Sequence, residues 1–182
     1  MKKVLKTCIL IICILIILIF KLSSKGNSQD IQNTIPRDTL ISVARENIKA
    51  NPFCALITLD STGQSQVRTM NPYPLGDELV IWFATSRTSR KVGEIRNDSR
   101  VSVYYADHNN ATGYVTINGK AEVIDDPDLL KKMKREYWET CKIDWLNKFV
   151  LIKITPVTMD VVNYKRGVYG NSDTNRSPCL VF

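Results

Sequence analysis

The residues of this 182-residue chain with the clearest chemical potential are Trp82-Phe83-Ala84-Thr85-Ser86-Arg87-Thr88-Ser89-Arg90-Lys91. An apolar, strand-like run ends there in hydroxyls, and a helix-like stretch begins with a serine and two cations. The first turn of a helix has amide N–H groups without intrahelical partners and a partial positive charge. Hydroxyls and cations at that point make an oxyanion site, in which backbone, hydroxyl and guanidinium donors converge. Arg68, on an earlier strand, supplies a third cation. The same residues also suit a plain solvated basic helix start, and donor density alone does not identify the phosphate ester.

Other reactive groups are sparse. The single histidine, His108, lies in the polar run Asp107-His108-Asn109-Asn110, without an evident nucleophile or second metal ligand. Cys8 and Cys13 fall in the N-terminal apolar run, leaving Cys54, Cys141 and Cys179 without a CxxC pair. That is neither a disulfide framework nor a zinc pattern, although one disulfide is open to an exported domain. No metal site is expected.

The elements that position these groups follow from apolar periodicity. Leu40, Val43, Ala44 and Ile48 predict a helix over Pro36–Ala50, with Pro36 suited to its first turn. Phe53–Leu59 and Gln64–Met70 read as two strands joined by the turn Asp60-Ser61-Thr62-Gly63. Glu78–Thr85 is a third strand and Thr88–Asn97 a short helix. Arg100–Ala106 and Gly113–Ile124 are strands, with Gly119 marking a bulge or close approach. A helix is expected from Asp126-Pro127 through Thr140, with Leu130, Met133, Tyr137 and Trp138 turned inward. Lys148–Val162 completes the set, bent or placed at an edge by Pro156. Six strands, mostly joined by short turns, with a few helices predict an α+β domain built on an antiparallel barrel. No GxGxxG follows a strand, which disfavours a doubly wound dinucleotide fold.

Charge is distributed unevenly. The chain has 25 Lys+Arg against 18 Asp+Glu, a net charge of +7. Lys2, Lys3, Lys6, Lys21 and Lys25 lie in residues 1–26, which hold no acid. Setting those five aside leaves 20 bases against 18 acids, or +2, a weak footprint for nucleic acid. Cys8–Phe20 is an unbroken apolar run behind Lys2, Lys3 and Lys6, the pattern of an export signal. Ser24-Lys25-Gly26 offers small residues for cleavage, while Val4–Leu22 spans 19 residues if Lys6 and Lys21 snorkel. Residues 1–26 are therefore expected to be a signal peptide or a retained membrane anchor, residues 27–35 a linker and residues 36–182 the domain. The positive N-terminus places that domain outside the cytoplasm.

Four segments, in order, carry a resemblance. They are Arg68-Thr69-Met70, then Phe83-x-Thr85-x-x-x-Ser89-Arg90-Lys91, then Ile95-Arg96-Asn97-Asp98-Ser99-Arg100-Val101-Ser102-Val103, then Gly119-Lys120-Ala121-Glu122-Val123. Together they resemble the pyridoxamine 5′-phosphate oxidase-like FMN-binding split barrels, which include general stress protein-type flavoproteins. The resemblance runs from about Phe53 to Pro156. It implies a six-stranded antiparallel split β-barrel with peripheral helices, forming a homodimer with an FMN at each end of the interface. It places Arg68, Ser89, Arg90 and Lys91 at the FMN phosphate and the backbone of Thr69 and Met70 along the isoalloxazine edge. It puts Phe83, Ala84 and Thr85 beside the ribityl chain and ring, and Tyr114 where the oxidase has a glutamine that reaches the flavin.

One segment departs from the true oxidase. Asn163-Tyr164-Lys165-Arg166-Gly167-Val168-Tyr169-Gly170 stands where that enzyme has an Arg-x-His segment, so vitamin B6 oxidation is not expected. Lys165 and Arg166 are read either as an exposed basic turn or as contacts to a substrate or a partner's FMN. Three classes of function follow: an FMN-dependent oxidoreductase, a non-catalytic flavin- or haem-binding stress or storage module, and a membrane-tethered interaction protein with a vacant site. F420 in place of FMN is also compatible with the resemblance. The flavin performs the redox step in the first class, so the sequence names no catalytic residue.

Overall fold

The computed structural model describes residues 35–140 and 144–182. The expected leader, all of the expected linker except Ile35, and Cys141 lie outside the described residues. Ile35–Phe182 forms one compact unit. Among the described residues, no helix is long and apolar enough to cross a membrane.

Helix α1 covers Arg37–Ala50, with Pro36 at its N-cap. Its apolar spacing buries Leu40, Val43, Ala44 and Ile48. Strands β1 (Cys54–Leu59) and β2 (Ser65–Met70) form a hairpin, and β3 (Ile81–Ser86) leads into helix α2 (Arg90–Asn97). Strands β4 (Arg100–Ala106) and β5 (Gly113–Ile124) follow. Short helices α3 (Pro127–Lys132), α4 (Tyr137–Thr140) and α5 (Trp145–Lys148) precede the long strand β6 (Phe149–Asn163). A 3₁₀ turn at Tyr164–Arg166 ends at Gly167, whose φ of 67° is left-handed and suits glycine.

The sheet order is β2-β1-β4-β5-β6-β3, antiparallel at every pair, and it curls into a half-barrel. This is the split-barrel α+β fold expected from the sequence. A seventh strand, β7 (Cys179–Val181), adds to β6 and was not expected. Three residues are too short to show a period, so only the pairing reveals it.

Alternation turns one face of each strand inward. A single register row runs Arg68, Leu56, Val103, Ile117, Met159 and Leu180 across β2, β1, β4, β5, β6 and β7. Leu56, Val103, Ile117 and Met159 are fully buried, so Arg68 occupies the outer end of a core row. A second apolar cluster packs Leu130, Trp138 and Leu151 with Trp82, Ala84 and Phe149.

The structure divides the expected Asp126–Thr140 helix in two. Tyr73 donates its hydroxyl to the carbonyl of Met133 at 2.7 Å, and Arg135 donates to the carbonyl of Asn71 at 2.9 Å. These tertiary bonds hold the break, which buries Trp138 and leaves Tyr137 exposed. The bulge expected at Gly119 is present: the β5–β6 register shifts between Asn118 and Gly119. A Cβ on Gly119 would meet the Thr155 carbonyl oxygen at 2.5 Å, so only glycine fits without movement. Pro156 faces this bulge, between the part of β6 paired with β3, ending at Ile154, and the part paired with β7, starting at Thr158. It thus sits at the irregularity that a strand proline requires.

Candidate functional site: a cationic seam between the sheet edges

Strands β2 and β3 are the two ends of the sheet order, and α2 bridges them. Lys91, in the first turn of α2, donates to Thr85 Oγ1 on β3 at 2.9 Å. Thr85 Oγ1 lies 3.2 Å from Ser89 Oγ, the N-cap residue. The Ser89 side chain makes no capping hydrogen bond, so it leaves the first-turn amides without a side-chain cap. On the other flank, Arg90 Nη2 donates to Gln66 Oε1 on β2 at 2.9 Å.

Glu94 joins these parts and was missed in the sequence reading. It is one turn beyond Arg90, and its side chain is only 4% exposed. Its Oε2 accepts from Arg68 Nη2 at 2.8 Å and from the Thr58 hydroxyl at 2.5 Å. Arg68 Nη1 also donates to Thr58 Oγ1. Arg90 Nε lies 2.8 Å from Glu94 Oε1, yet that oxygen has no hydrogen-bond partner. The contact is therefore off the N–H direction: it brings charge close without a directed bond. The i,i+4 spacing of Arg90 and Glu94 was the available sequence signal. It gave no hint of Thr58 or Arg68, which arrive through sheet register.

The electrostatics agree with this geometry. Burial, and then the neighbouring Arg68, push the Lys91 ammonium below its usual range, with Glu94 opposing them. Burial alone would raise the Glu94 carboxyl, but the Thr58 hydrogen bond and the charges of Arg68 and Arg90 outweigh it and hold Glu94 below its usual range. Glu94 is thus ionised at neutral pH. Three cations less one carboxylate leave the seam at +2. That charge, with the Thr85 and Ser89 hydroxyls and an uncapped helix turn, fits a phosphate dianion.

The other expected residues are placed differently. Phe83 is fully buried, so only its backbone is left to face a ligand. Ala84 packs against the second apolar cluster. Thr69 is exposed and Met70 half-buried at the end of β2. Beyond Met70 opens a cavity of about 570 Å³, lined by Asn71, Tyr73, Tyr105, Arg45 and Arg135 among others. Its size is that of a small-molecule pocket. Tyr114 stands apart from the seam. Its partner on β6 is Val162, whereas Thr85 pairs with Val150, twelve residues away along the same strand. The Tyr114 hydroxyl instead lies 2.6 Å from Ser177 Oγ. Arg166 is paired with Glu46 at 2.6 Å on the surface. Among the described residues, no group of three His, Cys, Asp or Glu is placed to hold a metal.

The comparisons agree with this architecture. General stress protein 26 from Bacillus anthracis str. Sterne aligns with 66% of this chain and 92% of its own, at 22% identity and a TM-score of 0.55. A pyridoxamine 5′-phosphate oxidase-related, FMN binding protein from Nostoc punctiforme PCC 73102 aligns over 83% and 98%, at 15% identity and a TM-score of 0.56. An F420 reductase aligns over 69% and 98%, at 19% identity and a TM-score of 0.51. At these identities the likeness is one of fold. No curated protein sequence matches. The family model described as pyridoxamine 5′-phosphate oxidase matches residues 41–163, about two thirds of the chain and every element that builds the seam, and the chain belongs to that family.

Proposed function

We propose that this chain is an FMN-binding flavoprotein and acts as an oxidoreductase. The observation that carries the proposal is the seam: three cations, two hydroxyls and an uncapped helix turn converge with a net charge of +2. In this reading Arg68, Ser89, Arg90 and Lys91 hold the FMN phosphate, and Thr85 orients Lys91 through its hydroxyl. The backbone of Thr69 and Met70, at the end of β2, takes the isoalloxazine edge. Phe83 and Ala84 contribute the backbone of β3 beside Thr85. Bound FMN supplies the hydride or electron transfer, while the protein positions it and limits solvent.

Tyr114 belongs in this proposal to the opposite site of a homodimer, the assembly that the family resemblance implies. Pyridoxamine phosphate is not proposed as substrate, because Arg166 is tied to Glu46 in the segment that departs from the oxidase. The leader composition supports export or membrane anchoring of the domain.

The test is the ligand itself. The full-length chain should purify with a flavin absorbance spectrum, bind added FMN more tightly than riboflavin, and bleach anaerobically with NADH or NADPH. A colourless protein that leaves FMN fluorescence unquenched would refute the flavin reading. A flavin that no nicotinamide donor or other reductant cycles would refute the oxidoreductase reading alone.

A further inference from the structure

Glu94 is a buried carboxylate that the proposed phosphate site does not need as a ligand, yet it touches two of the site's cations. We propose that Glu94 is an internal counter-ion, which takes the place of the ligand's phosphate while the site is empty. The proposal rests on the phosphate reading of the seam and adds a role for a residue that would not contact the cofactor.

The geometry divides the two carboxylate oxygens between two tasks. Oε2 is saturated by Thr58 and Arg68, a fixed pair that holds the half-buried Arg68 guanidinium in the core row. Oε1 has only the off-axis approach of Arg90, whose side chain is 71% exposed. The fixed contact keeps Arg68 in place, and the loose one lets Arg90 turn to an incoming anion. Without Glu94, Arg68, Arg90 and Lys91 would share one seam at +3. Lys91 already responds to Arg68 as a repulsive neighbour and to Glu94 as an attractive one. A bound dianion then neutralises the +2 that Glu94 leaves. Glu94 is a positioning residue here, acting through the cations.

The test is thermal unfolding of the full-length, ligand-free chain, parent and Glu94→Gln, with inorganic phosphate and with FMN. Sodium chloride at equal ionic strength is the control for screening. Glutamine keeps an oxygen for Thr58 but removes the charge. The variant should melt about 3–9 °C below the parent. Phosphate or FMN should recover most of that loss, raising the variant further than the parent, because the ligand supplies the missing negative charge. The pair Glu94→Gln with Arg90→Met, at +2 again, should regain stability without phosphate and serves also if Glu94→Gln alone does not fold. Equal phosphate shifts in parent and variant, or a double variant no more stable than Glu94→Gln, would overturn the counter-ion role and leave the phosphate site standing. No shift by phosphate or FMN in either protein would overturn the phosphate reading and the counter-ion with it.

Discussion

Arg90 and Lys91 are adjacent in sequence, but the structure gives them unequal weight. Lys91 is half-buried and donates to Thr85 inside the seam, where burial already disfavours its charge. Arg90 is 71% exposed and reaches Gln66 and Glu94 from the solvent side. A charge-assisted bond to a phosphate in a partly buried site is worth about 1.5–3 kcal/mol. Lys91→Met should therefore weaken FMN binding about 10–150-fold. An exposed ion pair is worth about 0.2–1 kcal/mol, so Arg90→Met should cost only about 1.5–5-fold. Fluorescence titration with FMN measures both, and riboflavin, which lacks the phosphate, is the control. Riboflavin affinity should be nearly unchanged in either variant. Equal losses for the two variants, or a larger loss for Arg90→Met, would refute the placement of the phosphate against Lys91. A parallel loss of riboflavin affinity would show that Lys91 supports the ring site or the fold instead.

The remaining predictions concern the scaffold. Gly119→Ala forces a Cβ to 2.5 Å from the Thr155 carbonyl, and denaturant unfolding should show a loss of about 1–3 kcal/mol. Asn47 donates to the Val162 carbonyl at 2.8 Å and accepts from Asn163 at 2.7 Å, both buried, so Asn47→Ala should lower stability by about 1–3 kcal/mol. Glu94 is held below its usual range in the fold, so its stabilisation is complete above an unfolded pKa of about 4.3 and is lost as pH falls through the folded value. Melting curves of parent and Glu94→Gln should converge as pH is lowered through that range; a gap that widens would contradict the assignment. Burial pushes the Cys54 thiol up to about 11, and burial together with Asp160 does the same for Cys179. Iodoacetamide at pH 8 should leave both unmodified in the native protein, as mass spectrometry after quenching would show.

The parts of this fold legible in the sequence are those with long, strict periods. Helix α1 and strand β4 fall where Leu40, Val43, Ala44, Val101, Val103 and Tyr105 place them. Strand β7 is too short for a pattern. The broken helix after β5 depends on Tyr73 and Arg135, which meet only in three dimensions. The site divides in the same way. Arg90, Lys91 and Ser89 are local, and a helix start announces them. Glu94 looks like one more polar residue on a short helix until Thr58 and Arg68 are brought beside it by β1–β2 register. Phe83 illustrates the opposite difficulty: its position in the motif is recognisable, but its burial is decided by the barrel.

The seam also bears on the order in which the chain closes. Among the described residues strand β3 pairs only with β6, joining Ile81 to Ile154 across 73 residues. The contacts of α2 with Thr58, Arg68 and Thr85 all fall within 37 consecutive residues, the widest separation being 36. Loop closure costs about 0.6 kcal/mol more for each doubling of length, so the seam closes at lower entropic cost than the β3–β6 ladder. Contacts of short sequence separation also favour rapid formation. The segment up to Glu94 can therefore bring β2 and β3 together, through the Arg68–Glu94 ion pair and the Lys91–Thr85 hydrogen bond, before β6 pairs with β3, and the anion site is then part of the folding route as well as of the finished barrel.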